Sequence, residues 1–203
     1  ERLQLVSQEL SHRIQNIFAV ISGIITLSAR DHPAAKVYAD GLLARILALG
    51  SAHELVRPHS PDSRADPEPT TLTRLLAALF GAYRDGDAER IRLSGSDVDL
   101  TMTAATPVAL LFHELATNAL KYGALSRPEG QVSLAIEDDG DRVLIDWTEV
   151  GGPPVREVPA HSGFGSRLLS LSVEKQLNGQ IRKTWAPLGL RVTVTIPRAR
   201  LAG

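Results

Sequence analysis

The sequence predicts an α+β protein, an N-terminal helical hairpin followed by a mixed α/β unit, on three observations. Apolar residues before residue 57 recur at alternating helical spacings, a proline-rich stretch interrupts the chain, and strand-like and helical segments then alternate. In the first helix Leu10, Ile14, Ile17, Ile21 and Ile24 form the expected seam, widened by Phe18 and Ile25. "DHP", residues 31–33, breaks the pattern, and Pro33 suits the first turn of a new helix. Leu42, Ile46, Leu49, His53 and Val56 repeat the alternation in the second helix. Two helices alone bury little, so this hairpin is expected to pair with a second copy as a four-helix bundle, a monomer being the alternative.

"RPHSPDSRADPEP", residues 57–69, carries four prolines and almost no apolar residues, and reads as a linker. The chain is thereby divided into 1–57, 58–69 and 70–203. After the linker a helix is expected over about residues 71–83, then short strands near 91–93 and 98–102. Pro107 is expected to open the next helix. Val132, Leu134 and Ile136 alternate with polar neighbours, as do Val143, Ile145 and Trp147, which predicts antiparallel strands joined through "DDGD". A helix around 166–177 and a hairpin of "QIRKTW" and "LRVTVTIP" across 187–189 complete the unit.

Composition removes several functions. The 203 residues, 43% hydrophobic, suffice for one larger or two smaller domains with cores. Lys and Arg number 22 against 23 Asp and Glu, without a block of either sign, which disfavours nonspecific nucleic-acid or membrane attraction. Aromatic content of 4% argues against stacking platforms for single strands. Absence of cysteine excludes disulfides and thiolate metal sites and fits a reducing compartment, so a cytoplasmic location is expected. No apolar run approaches the roughly 20 residues that span a bilayer. The first residues resemble neither a secretory signal nor a helix start, as though the chain opened within a longer protein.

"HELATNALKY", residues 113–122, aligns Glu114, Asn118 and Lys121 on one narrow helical face beside the apolar Val108, Leu111, Leu115 and Ala119. Such a triplet is either a ligand-facing set or a solvated polar stripe. Two glycine clusters follow: "WTEVGGPPV", residues 147–155, after a strand, and "GFGSRLL", residues 163–169, at a helix start. Gly163 and Gly165 would permit close backbone approach, and free N–H groups there suit an anion, although glycines before helices also simply make turns. Together the three elements can supply a metal ligand, a base reader and a phosphate cradle, without the lysine-bearing phosphate loop.

"HELATNALKYGALS", "WTEVGGPPV" and "GFGSRLL" resemble the ATP-binding boxes of HWE-type sensor histidine kinases, and "ELSHRIQN", residues 9–16, resembles that group's phosphoacceptor box. The group takes its name from a His matched by His113 and a Trp-x-Glu matched by Trp147 and Glu149. The resemblance implies a dimerisation and phosphotransfer hairpin followed by an α/β-sandwich ATP-binding domain of the gyrase, Hsp90 and histidine kinase type. It implies that His12 is the phosphorylated nucleophile and that Asn118 coordinates Mg²⁺. Glu114 would polarise the attacking group or orient the metal's water, Lys121 would face phosphate and Tyr122 would line the nucleotide site. Glu149 would accept the adenine amino hydrogen bond, and Gly151, Gly163 and Gly165 would let the backbone approach the nucleotide. The segment 153–162 is shorter than most histidine kinase lids.

The helical wheel adds an independent point. His12 falls roughly 200° from Leu10, among mostly polar residues, where a nucleophile that meets two proteins should stand. Glu9 is a candidate acceptor for the proton on its second ring nitrogen. His53 lies in the seam and reads as a satisfied core histidine; His32 and His59 read as surface residues, His161 falls in the presumed lid, and His113 and Trp147 read as packing signatures. The expected activity is ATP-dependent autophosphorylation of His12 and transfer to an aspartate of a response-regulator receiver domain, with the sensor domain outside this chain. A non-catalytic phosphotransfer or scaffold protein of the same architecture is the alternative, and a gyrase-type clamp is disfavoured by the hairpin.

Overall fold

Two units divide the chain, residues 1–69 and 70–203. The structure, a computed structural model, describes residues 2–55, 70–83, 90–154 and 164–203. The expected linker, Val56, His59, His161 and Gly163 lie outside the described residues.

The first unit is a helical hairpin of α1 (Arg2–Asp31) and α2 (Lys36–Leu55), joined by a short 3₁₀ turn at Pro33–Ala35. Its seam differs from the expected one. From residue 9 onward, Ser11, Ile14, Gln15, Phe18, Ser22, Ile25 and Ala29 are the shielded residues of α1, and Phe18 packs opposite Gly50 of α2. Leu10, Ile17, Ile21 and Ile24 stand exposed, Leu10 at 57% and Ile24 at 58%, about 100° round the helix from the covered face. Size explains the difference. Small side chains let two helices approach closely, and α2 meets α1 with Ala39, Ala48 and Ala52 buried. The bulky stripe belongs to a second, uncovered face. His53 is half-buried as expected for the seam, yet its Nδ1 is shielded and has no hydrogen-bond partner among the described residues, so it is not a satisfied core histidine.

The second unit lays helices on one face of a five-stranded mixed sheet. Thr71 caps α3 (Leu72–Phe80), its hydroxyl accepting from the Arg74 N–H. β1 (Ile91–Gly95) follows. The strand expected over 98–102 does not form; its one ladder contact is an isolated bridge from Asp99 to Thr71. The reason is local: Thr101 instead caps α4 (Met102–Lys121), so this helix starts before Pro107 and carries that proline buried inside it. β2 (Gln131–Asp138) and β3 (Arg142–Val150) pair antiparallel across a turn in which Asp138 and Asp139 accept N–H bonds from Gly140, Asp141 and Arg142. The helix expected near 166–177 splits into α5 (Phe164–Ser170) and a π-helical continuation over Leu171–Gln176. β4 (Gln180–Ala186), β5 (Gly189–Pro197) and the short α6 (Arg198–Ala202) end the chain.

The sheet order is β1-β2-β3-β5-β4, with β1 parallel to β2 and the other neighbours antiparallel. Register sets Leu134, Trp147, Val192 and Lys183 side by side in one row across four strands. The first three are buried, and α3 and α4 cover this face with Leu72, Leu76, Leu111, Phe112 and Leu115. Phe80, Phe112 and Trp147 form an aromatic triad with centroids 6.0–6.4 Å apart. The opposite face is polar, as where Asp146 accepts from Arg191 at 2.8 Å and Thr193 at 2.6 Å. Phe112→Ala opens a cavity at the centre of the triad and is expected to cost about 3–5 kcal/mol, read as a lowered midpoint in denaturant unfolding.

Candidate nucleotide site

Period-two alternation along β3 sends Trp147 and Glu149 to the same face, toward the helices. Trp147 is fully buried in the core, and its indole N–H donates to Glu149 Oε1 at 3.1 Å. The backbone N–H of Ala124, just beyond α4, donates to Oε2 at 2.8 Å. Glu149 is 3% exposed. Burial pushes its carboxyl above the usual glutamate range, and the Ala124 and Trp147 donors pull it back toward the charged form. So the Trp-x-Glu pair does more than pack: the indole fixes the carboxylate's orientation.

Two glycines make the close approach possible. A Cβ on Gly123 would land on Glu149 Oε2, and a Cβ on Gly152 would come within 2.7 Å of Ala124 Cα. The turn after α4 and the turn after β3 therefore interlock around the carboxylate.

Glu149 lines a cavity of about 850 Å³ between α4 and α5 above the last hairpin. Leu115, Leu169, Ile181 and Leu190 supply apolar wall, and Trp185 and Tyr122 also line it. Asn118, Arg167 and Lys183 supply polar groups. A buried acceptor among apolar walls, with a carboxamide and two cations in the same cavity, suits a flat heterocycle bearing an amino group and an anionic tail.

Of the residues expected at the site, the cavity gathers Asn118, Tyr122 and Glu149. Glu114, Asn118 and Lys121 share a helical face as expected, but it runs from core to solvent. Glu114 is buried with its Oε2 only 2.5 Å from where a Cβ on Gly165 would lie, so Gly165 accommodates this carboxylate. Asn118 is half-buried, and Lys121 is exposed and does not line the cavity. Gly151 takes a φ of +76° and packs its Cα side against Glu129 and Gly130. At Gly151 and Gly165, then, the close approach is to protein. His113 does not line the cavity; a chain of polar contacts joins its Nε2 to Thr117 Oγ1 at 3.5 Å and Thr117 to the Tyr83 hydroxyl at 3.3 Å. In the hairpin unit His12 is exposed on α1. Glu9, the candidate acceptor for its ring proton, accepts from the Arg13 guanidinium at 2.6 Å.

Lys183 escaped the sequence reading. Its ammonium donates to Ser166 Oγ at 3.3 Å, and burial pulls its pKa below the usual lysine range. The available signal was phase: Lys183 shares the inward alternation of Ile181 and Trp185 along β4, opposite Arg182 and Thr184. Gly123→Ala, at a position with ordinary φ, drives a methyl into Glu149 and is expected to cost about 1–3 kcal/mol in thermal or denaturant unfolding.

Comparison with known proteins identifies relatives and a shared fold. The family model for HWE histidine kinases matches residues 9–97. Blue-light-activated histidine kinase 1 of Erythrobacter litoralis is 36% identical over 200 residues, covering 97% of this chain and 54% of that protein. A blue-light-activated histidine kinase of Rhizobium johnstonii is 34% identical over 193 residues, covering 94% and 52%. The chain thus spans about half the length of these relatives. Among solved structures, the histidine kinase domain of an Erythrobacter litoralis blue-light-activated kinase superposes with a TM-score of 0.62 at 22% identity, covering 98% of this chain and 94% of that domain, which shows the shared fold. Sequence kinship thus points to the HWE histidine kinases, whose family domain residues 9–97 match.

Proposed function

We propose that this chain is the kinase core of a sensor protein that phosphorylates its own His12 from ATP and passes the phosphoryl group to an aspartate of a response-regulator receiver domain. The observation that carries the reading is the buried, doubly hydrogen-bonded Glu149 carboxylate facing a cavity of nucleotide size. Bound with Mg²⁺, ATP supplies the transferable phosphoryl group. Glu149 accepts the adenine amino hydrogen bond, and the apolar walls exclude water from the base. Among the described residues no group of three or more His, Cys, Asp or Glu could hold a metal, so Asn118 would give the ion one oxygen and phosphate and water the rest. Lys183 and Arg167 neutralise phosphate charge, the part first assigned to Lys121. Tyr122, 75% exposed, stands at the rim. Glu114 steadies the start of α5 through its contact at Gly165.

On α1 the exposed His12 imidazole stands where one ring nitrogen can attack the phosphoryl group. The uncovered Leu10, Ile17, Ile21 and Ile24 stripe supports pairing of the hairpin with a second copy into a four-helix bundle, beside which a receiver domain would dock. No described helix is long and apolar enough to cross a membrane, and we place the core in the cytoplasm, with its sensor domain in the part that the relatives carry beyond this match.

Incubation with γ-labelled ATP and Mg²⁺ is expected to give acid-labile, base-stable label on the chain, abolished in His12→Ala and reduced roughly 100-fold in Asn118→Ala. Uptake of phosphoryl from a phosphorylated receiver without labelling from ATP would instead establish the non-catalytic phosphotransfer reading. Lys183→Met is expected to weaken ATP binding roughly tenfold while leaving adenosine binding unchanged, measured by calorimetry.

A further inference from the structure

The Trp147 indole is fully buried as one ring of the aromatic triad, yet its one polar atom donates to the Glu149 carboxylate. We propose that Trp147 is a positioning residue for base selection: its indole N–H, with the Ala124 N–H, holds Glu149 as an oriented anion that accepts from a 6-amino purine and rejects a 6-oxo purine. The inference rests on the proposed nucleotide reading of the cavity.

The chemistry is a matter of hydrogen-bond complementarity. An ionised carboxylate only accepts, so it welcomes the adenine N6 amino group and repels the O6 acceptor of hypoxanthine or guanine. A protonated carboxyl carries a donor and can serve O6. Burial favours the protonated form, and the two N–H donors oppose it, each engaging a different oxygen. Removing the indole donor therefore does two things at once. It frees the carboxyl to rotate about the remaining Ala124 bond, and it makes the protonated form more accessible. Both effects cost the 6-amino base and relieve the 6-oxo base, whereas loss of packing alone would weaken both nucleotides equally.

The test measures ATP and ITP affinities, by calorimetry with Mg²⁺, for the wild-type chain, Trp147→Phe and Leu134→Ala. Leu134 is the register neighbour of Trp147 on β2 and is fully buried, so its truncation reports a packing defect in the same row with both N–H donors intact. The wild-type chain is expected to prefer ATP, Trp147→Phe to narrow that preference roughly tenfold, and Leu134→Ala to retain it. An ATP-to-ITP ratio unchanged in Trp147→Phe, narrowed equally in Leu134→Ala, or equal to one in the wild-type chain overturns the inference. A wild-type chain that binds neither nucleotide overturns the ATP reading and this inference with it; retained preference in Trp147→Phe sinks this inference alone. Should Trp147→Phe not fold, hydrogen exchange of the wild-type indole protons decides: the Trp147 proton is expected to be protected and to shift when ATP binds, and exchange as fast as that of the exposed Trp185 proton, or no shift with bound ATP, contradicts the proposal.

Discussion

A carboxylate withdrawn from water is costly unless its oxygens are met by donors, and the second unit is arranged around meeting that demand at Glu149. One donor comes from the core, through Trp147 two residues earlier on the same strand; the other comes from the backbone at the end of α4. The second donor can reach only because Gly123 lacks a side chain and Gly152 lets the post-β3 turn close over Ala124. The interaction thereby couples sheet, helix and two turns, and the cavity wall around Glu149 follows from it. In the proposed account this same charge makes the group selective, since a fixed anion accepts from hydrogen-bond donors alone.

The hairpin obeys a different economy of surfaces. α1 presents three distinct zones: a face of mixed size closed against the alanines of α2, a bulky apolar stripe open to water, and the polar sector that holds His12. A helix with two apolar faces is underused by one neighbour, which is the physical case for a second copy. The exposed imidazole stands apart from both, so partner binding at the open stripe need not bury it.

Much of this was legible in the residues. Alternation marks β2 and β3 as antiparallel strands, and the phase that buries Val143, Ile145 and Trp147 extends to Glu149. The exposure of His12 followed from angle alone. What failed did so for identifiable reasons. Periodicity weighs bulk, so Ile17 and Ile21 outvoted Ser11 and Ser22, which share the covered face with Ile14, Phe18 and Ile25. A proline signalled a helix start at Pro107, where the Thr101 cap had already begun one. The face shared by Glu114, Asn118 and Lys121 was correct, but a helix crossing from core to solvent gives three neighbours three environments. Lys183 was overlooked because a lone lysine in a short strand reads as a solvent residue until its partners are known.

The central claim is that Glu149 and the cavity it lines form the nucleotide site. Titration of Mg²⁺-ATP into the chain and into Glu149→Ala, followed by the backbone amide resonances of residues 118–124 and 149–152, addresses it directly. The account requires saturable shifts centred on those residues in the native chain and at least a roughly tenfold weaker response in Glu149→Ala. Equal binding by both proteins, or shifts confined to other surfaces, would contradict it.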